Sequence, residues 1–187
     1  LLNRVCGSLE NPPDHLVFAS SSAQLELGAT DPYAVGKQEA HRIYSEGFAG
    51  IVHTLILPRL VARVDHHRRD EAYLETAAGG RALIRGDGEQ AQSTVAVEDV
   101  AACILRIASE PDSVQSKVLP VAPPEQVTVK EAVSAILEGA RLPRVFGRHP
   151  DPAWVGPHGG GEEHLDDTVF RQEFPGFRWT DPRDNYR

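Results

Sequence analysis

Methionine is absent from all 187 residues and the chain opens on Leu1, a pairing read as a removed start or as a segment of a longer product. Cysteine is scarce too: Cys6 and Cys103 stand far apart in unrelated contexts. Two such residues make no disulfide framework. They read as buried thiols in a reducing compartment, which makes the cytoplasm the expected location. Positive charge is short as well, with 19 Lys and Arg against 27 Asp and Glu and a net charge of −8. That balance argues against a nucleic-acid backbone or an anionic membrane surface as partner. No apolar run approaches a membrane span, and no signal-peptide pattern is visible. What is present is ordinary, at 41% hydrophobic and 25% charged residues. It suffices for one domain with a real core, with or without a loosely attached tail.

Along the chain, "HLVFAS" (15–20) follows the Pro-rich "NPPD" and reads as a buried strand. Asp31 and Pro32 read as the N-cap and first residue of a helix that stops near Gly47 or Gly50. "IVHTLILPRL" (51–60) reads as a second buried strand, parallel to the first because a helix intervenes. "RRDEAYLETAAGG" predicts a helix closed by glycines, "RALIR" and "STVAV" short strands, and "GDGEQ" the turn between them. "VEDVAACILRIASE" is a helix with acidic residues in its first turn. "KVLPVA" is a strand, and Thr128-x-x-Glu131 a capping box opening another helix. Beyond Leu142 the texture turns to Gly, Pro and His and predicts an irregular surface segment. "LDDTVFRQEF" then reads as a short helix and "PGFRWTDPRDNYR" as an extended tail. Strands alternating with helices define an α/β layered domain.

The chemistry concentrates in "SSSAQLELGATDPYAVGK" (20–37). Tyr33 and Lys37 lie one helical turn apart and share a face. An ammonium beside a phenol favours the phenolate, and a tyrosine so placed can exchange a proton with a substrate hydroxyl or carbonyl. A serine at the end of the neighbouring strand could hold the same oxygen. Tyr-x-x-x-Lys also arises by chance in many helices, so the spacing alone leaves both readings open.

Four stretches, "HLVFASSSAQ", "DPYAVGKQEAHR", "IVHTLILPRL" and "GDGEQAQSTVAVEDVAACIL", together resemble in that order the extended short-chain dehydrogenases/reductases, the NAD-dependent epimerase/dehydratase family. The resemblance runs from about Leu1 to Leu142, with an echo in "LDDTVFRQEFPGFRWTDP". It implies that Ser22 is the catalytic Ser/Thr, Tyr33 the general acid/base, and Lys37 the residue that tunes it and holds the nicotinamide ribose. Tyr33 and Lys37 would thus also contact the cofactor. Arg59 to Val64 would form a loop beside nicotinamide and substrate, and "GDGEQAQS" a substrate-side hairpin.

The chain departs from that pattern in three ways. The G-x-x-G-x-x-G turn that holds the dinucleotide pyrophosphate has no counterpart in the sequence. NAD or NADP would therefore be held mainly by residues outside this chain. The apolar strands would need a second polypeptide, a second copy or an N-terminal segment to complete their sheet. Next, Ser22 and Tyr33 are eleven residues apart, where relatives carry a longer acidic loop, and "LEL" (25–27) replaces the usual "V-Y-G". Last, the Asn and Arg that face the diphosphate in nucleotide-sugar members match Ala62 and Gln92, a loss of charge that Arg63 or Arg85 could replace. The substrate-side assignments are Ser22, Arg63 and Gln92.

No metal site is expected. Asp65, His66 and His67 read as a solvated loop because adjacent histidines point apart, and "HGGGEEH" (158–164) as a polar linker. The basic cluster Arg141 to His149 could meet a phosphate, or simply suit a helix C-terminus. Trp154 and Trp179 read equally as packing anchors or substrate platforms.

The expected fold is α/β: a partial Rossmann-like parallel sheet with flanking helices plus a small C-terminal substrate lobe. Residues 1–142 would form the C-terminal half of the Rossmann-like domain with substrate-lobe insertions, and 143–187 the Gly/Pro-rich segment and tail of the lobe. The expected function is NAD(P)-dependent oxidoreductase, epimerase or dehydratase chemistry at a secondary alcohol carbon of a sugar-like or small polar substrate. The expected assembly is a homo-oligomer or a complex with a partner chain, without nucleic acid or membrane. A cofactor-free binding or assembly subunit of the same descent is the alternative.

Overall fold

A computed structural model describes residues 13–26, 28, 30–62, 68, 70–151, 165–181 and 183–184. In chain order the strands are β1 (His15–Ser21), β2 (Ile51–Leu57), β3 (Arg59–Val61), β4 (Ala82–Ile84), β5 (Ala91–Gln92), β6 (Thr94–Ala96), β7 (Val118–Pro120), β8 (Val127–Thr128) and β9 (Phe146–Arg148). The α-helices are α1 (Pro32–Gly47), α2 (Glu71–Ala78), α3 (Val97–Ser109), α4 (Val129–Gly139) and α5 (Thr168–Glu173). The described residues divide into two compact units, each drawn from separated stretches of chain.

The first unit takes the described residues up to Pro58, then Val100–Ala122 and Leu165–Arg178. Its sheet runs β1–β2–β7, parallel throughout, with His15 opposite Ile51, Ser21 opposite Leu57 and Leu55 opposite Leu119. The β1–α1–β2 crossover follows from the sequence. An apolar strand ends in serines, and Asp31 then caps the next helix, its Oδ2 accepting the Ala34 N–H at 2.9 Å. Pro32 stands at a position whose N–H is not needed. β2 is central and buried from Val52 to Leu57, as expected of a parallel strand covered on both faces. Each of its large apolar side chains contributes about 1.5–3 kcal/mol by leaving water. α5 adds the stacked rings of Phe170 and Phe174, 4.6 Å between centroids, with Phe177 edge-on to Phe170 at 5.3 Å.

The second unit takes the described residues of Arg59–Asp99, Pro123–His164 and Trp179–Arg187. Its core gathers Tyr73 and Ala77 of α2, Ala82 and Ile84 of β4, and Val133, Ile136 and Leu137 of α4. The capping box is formed as the sequence predicts. Thr128 Oγ1 accepts the Glu131 N–H at 3.1 Å, and Glu131 Oε2 accepts the Thr128 N–H at 2.9 Å. Asp99 is buried and takes both the N–H and the hydroxyl of Thr180, at 3.0 and 2.9 Å, which ties down the start of the tail.

Three stretches differ from expectation. Residues 51–60 are not one strand, because Pro58 ends β2 and Arg59–Val61 forms β3 in a separate sheet with β6. The hairpin expected over 86–93 does not form, since β4 pairs with β9 and β5 with β8. The stretch beyond Leu142 is not wholly irregular, because Phe146–Arg148 forms β9, parallel to β4. The Ala82 N–H donates to the Val145 carbonyl at 2.8 Å, and the His149 N–H to that of Ile84 at 2.9 Å. Gly147 fits there because a Cβ would sit 2.7 Å from the Arg81 Cδ. Three residues containing a glycine carry no periodicity, so only the partner strand reveals the element. The short antiparallel pair β5–β8, with Gln92 opposite Val127, also lay below the resolution of sequence patterning.

Candidate functional site

β1 delivers its serines into a tight turn. Ser20 is buried and its hydroxyl donates to Gln24 Oε1. Ser21 caps the 3₁₀ turn Ser22–Leu25, its Oγ accepting the Ala23 N–H at 3.3 Å. Two of the three serines are thus committed to local structure. Ser22, the first residue of the turn, is half-buried. Gln38 of α1 fastens this turn to the helix by donating to the carbonyls of Gln24 at 3.2 Å and Glu26 at 2.7 Å.

On α1, Tyr33 is 56% exposed although aromatic. Lys37 is half-buried and its Nζ lies 5.6 Å from the Tyr33 ring centroid. The same ammonium lies 5.9 Å from the Phe18 ring on β1. Phe18 is a contact that sequence reasoning missed, because nothing in linear spacing links a mid-strand residue to that helix. No hydrogen bond of the Ser22 hydroxyl or the Tyr33 hydroxyl, and no ion pair of Lys37, occurs among the described residues. Arg42, five residues further along α1, contrasts with Lys37: it donates to Glu39 at 2.6 Å and to Glu46 at 2.7 Å.

The structure therefore brings Tyr33 and Lys37 together, and a hydrogen-bonded clamp ties the Ser22 turn to their helix. Gln92 lies in the other unit, buried in β5 opposite Val127. Arg85 is half-buried in that unit, and Ala62 follows β3. Arg63, Asp65, His66, His67, Trp154, the 158–164 segment and Cys6 lie outside the described residues. Cys103 is buried and forms no disulfide among the described residues. Among the described residues no cluster suited to a metal is present, and no helix is long and apolar enough to cross a membrane. In the basic cluster, Arg144 pairs with Glu138 at 2.8 Å, and Arg148 Nε donates to the Gly86 carbonyl at 3.1 Å.

A parallel strand ending in serines, followed by a helix that opens with Tyr-x-x-x-Lys, belongs to an α/β architecture shared with Rossmann-like NAD-dependent epimerases and dehydratases. Among solved structures of that architecture is MoeE5 in complex with UDP-glucose and NAD, at 24% identity and a TM-score of 0.66, covering 92% of this chain and 62% of that one. The Bordetella bronchiseptica enzyme WbmH in complex with NAD+ superposes at a TM-score of 0.69 with 17% identity, covering 92% and 60%. UDP-glucuronic acid 4-epimerase from Bacillus cereus, bound to UDP-glucuronic acid and NAD, gives 0.67 with 15% identity, covering 98% and 62%. At these identities the likeness establishes the fold, and the chain spans about three fifths of the length of each. No protein-family model matches the sequence, and no curated protein does.

Proposed function

We propose that this chain carries the proton-transfer residues of an NAD(P)-dependent oxidoreductase, epimerase or dehydratase acting at a secondary alcohol carbon of a sugar-like or small polar substrate. One observation carries the reading. An exposed tyrosine and a lysine without an ion pair among the described residues sit one turn apart, with Nζ 5.6 Å from the ring. Tyr33 exchanges the proton of the substrate hydroxyl. Lys37 sets positive charge 5.6 Å from the centre of the phenol ring, and that field favours the negative charge that develops as the proton moves. Ser22 donates its hydroxyl to the same substrate oxygen and orients it. Gln92 and Arg63 stay assigned to the substrate on the family resemblance alone.

The residues present fit a nicotinamide nucleotide, because among the described residues the Tyr33 hydroxyl and the Lys37 ammonium have no hydrogen-bond acceptor and are donors of the kind that hold ribose hydroxyls. When bound, the nucleotide supplies hydride acceptance and return at the substrate carbon. Its pyrophosphate would be held by residues outside this chain, in an N-terminal segment, a second copy or a partner. A cofactor-free binding or assembly subunit is the second reading. It is favoured by the lack of a glycine-rich pyrophosphate turn in this sequence.

Tyr33→Phe separates the two. The ring is 56% exposed, so losing one hydroxyl should leave folding intact. With NAD and UDP-glucose as probes, turnover should fall by about 10²–10⁴-fold with binding retained. Undiminished turnover in the variant would overturn the assignment. Binding without turnover in the parent protein would favour the second reading.

A further inference from the structure

We propose that Phe18 is a positioning residue for Lys37, its ring holding the ammonium beside Tyr33 without neutralising it. The proposal rests on the proton-transfer reading above and extends it to a residue on a different element. Lys37 Nζ lies 5.9 Å from the Phe18 ring centroid and 5.6 Å from that of Tyr33, so two aromatic faces flank one cation. An aromatic face attracts a cation through its quadrupole but adds no charge of its own. A carboxylate in the same place would pair with the lysine and cancel the field that the reaction uses, as Glu39 and Glu46 do to Arg42 on the same helix. A flexible lysine with neither partner would spread over its rotamers, and holding it in place has an entropic cost that the two rings offset.

Phe18 is itself held. It is half-buried on β1 at the register of Thr54, and its ring packs against Tyr44 of α1 at 4.7 Å between centroids, tilted by 59°. Tyr33, Lys37 and Tyr44 recur at spacings of four and seven residues, which places them on one stripe of the helix. The strand ring thus bridges this stripe, fixed at Tyr44 and facing the ammonium at Lys37. Its backbone position is set by β-sheet register, and its ring by Tyr44 on the same helix that carries Tyr33 and Lys37.

The test uses the full chain with Phe18→Leu, which keeps apolar bulk and removes the π face, and Phe18→Tyr, which keeps the ring. The first readout is the ring-current shift of the Lys37 ε-methylene protons, taken by NMR without substrate or cofactor and assigned with Lys37→Arg. In Phe18→Leu this signal should move toward that of an exposed lysine, and in Phe18→Tyr it should stay. The second readout is steady-state turnover with NAD and UDP-glucose. There Phe18→Leu should lower kcat about two- to fivefold with KM changed less, and Phe18→Tyr should restore it. An unmoved Lys37 signal in Phe18→Leu overturns the proposal whatever the activity does, as does equal damage to kcat in both variants. If Tyr33→Phe stays active while the Lys37 signal behaves as expected, the reaction reading falls and the positioning stands.

Discussion

Gly47 and Gly50 read alike in the sequence, as stops for the same helix, yet the structure gives them opposite tolerance. An added Cβ at Gly50 would lie 2.1 Å from the Asp14 carbonyl oxygen, which also accepts the Ile51 N–H at 2.8 Å where β2 begins. Backbone cannot yield there as a side-chain tip would. Gly50→Ala should therefore destabilise the protein by about 3 kcal/mol, the upper end of ordinary overpacking. Gly47 is the last residue of α1 with nothing within 4 Å of a Cβ, so Gly47→Ala should be neutral or stabilising by up to about 1 kcal/mol. Urea unfolding of both variants checks the contrast, and equal shifts would show that the close approach does not govern. Legibility divides the same way at the site. Tyr33 and Lys37 are visible because one helix fixes their spacing, whereas Phe18 reaches them through the β1–α1 packing that no local spacing encodes.

Elements nucleated by local chemistry were the ones the sequence disclosed. Asp31 and Pro32 open α1, and the Thr128–Glu131 box opens α4, because each cap needs only neighbours within a turn. β9 has no such local signal. α5 lies between these cases. Its pattern was readable, but the group that fastens it was not. Glu173 accepts the N–H groups of Gln115 and Ser116 at 3.0 and 2.8 Å and the Ser116 hydroxyl as well. Burial pushes its carboxyl up, but the Ser116 hydroxyl, the two backbone N–H groups and the nearby His53 outweigh it and hold it below the ordinary carboxylate range. Folding thus favours the ionised form. Its stabilisation is complete above the unfolded value near about 4.3 and is lost as pH falls through the lower folded value. Glu173→Gln should cost about 1–2 kcal/mol at neutral pH. The gap to the parent protein in urea midpoint should hold from neutral pH down to about 5 and close below about 4. A gap that persisted unchanged in acid would assign the clamp to shape rather than to charge.

At the scale of the whole molecule, the alternation of strands and helices gave the α/β class, while the division into two units was hidden. Each unit collects segments that are distant in sequence, and β2 and β3 fall in different units although only Pro58 separates them. The feature that bears on the cofactor is the outer side of β1. The strand carries Leu16, Val17 and Phe18 half-buried, and among the described residues it pairs with β2 alone. Apolar strands of parallel sheets are normally flanked on both sides, and an open edge invites pairing with another chain. The sequence also lacks a glycine-rich pyrophosphate turn, so one added segment or subunit could close the edge and complete a dinucleotide site together. Native mass spectrometry of the purified protein, followed by denaturation, tests both at once. The expected result is an assembly larger than one chain, or a longer polypeptide, that releases a dinucleotide. A single bare chain with no nucleotide would remove the cofactor from the proposed chemistry. Tyr33 and Lys37 would then be inherited residues on a binding subunit, and Tyr33→Phe should leave its interactions unchanged.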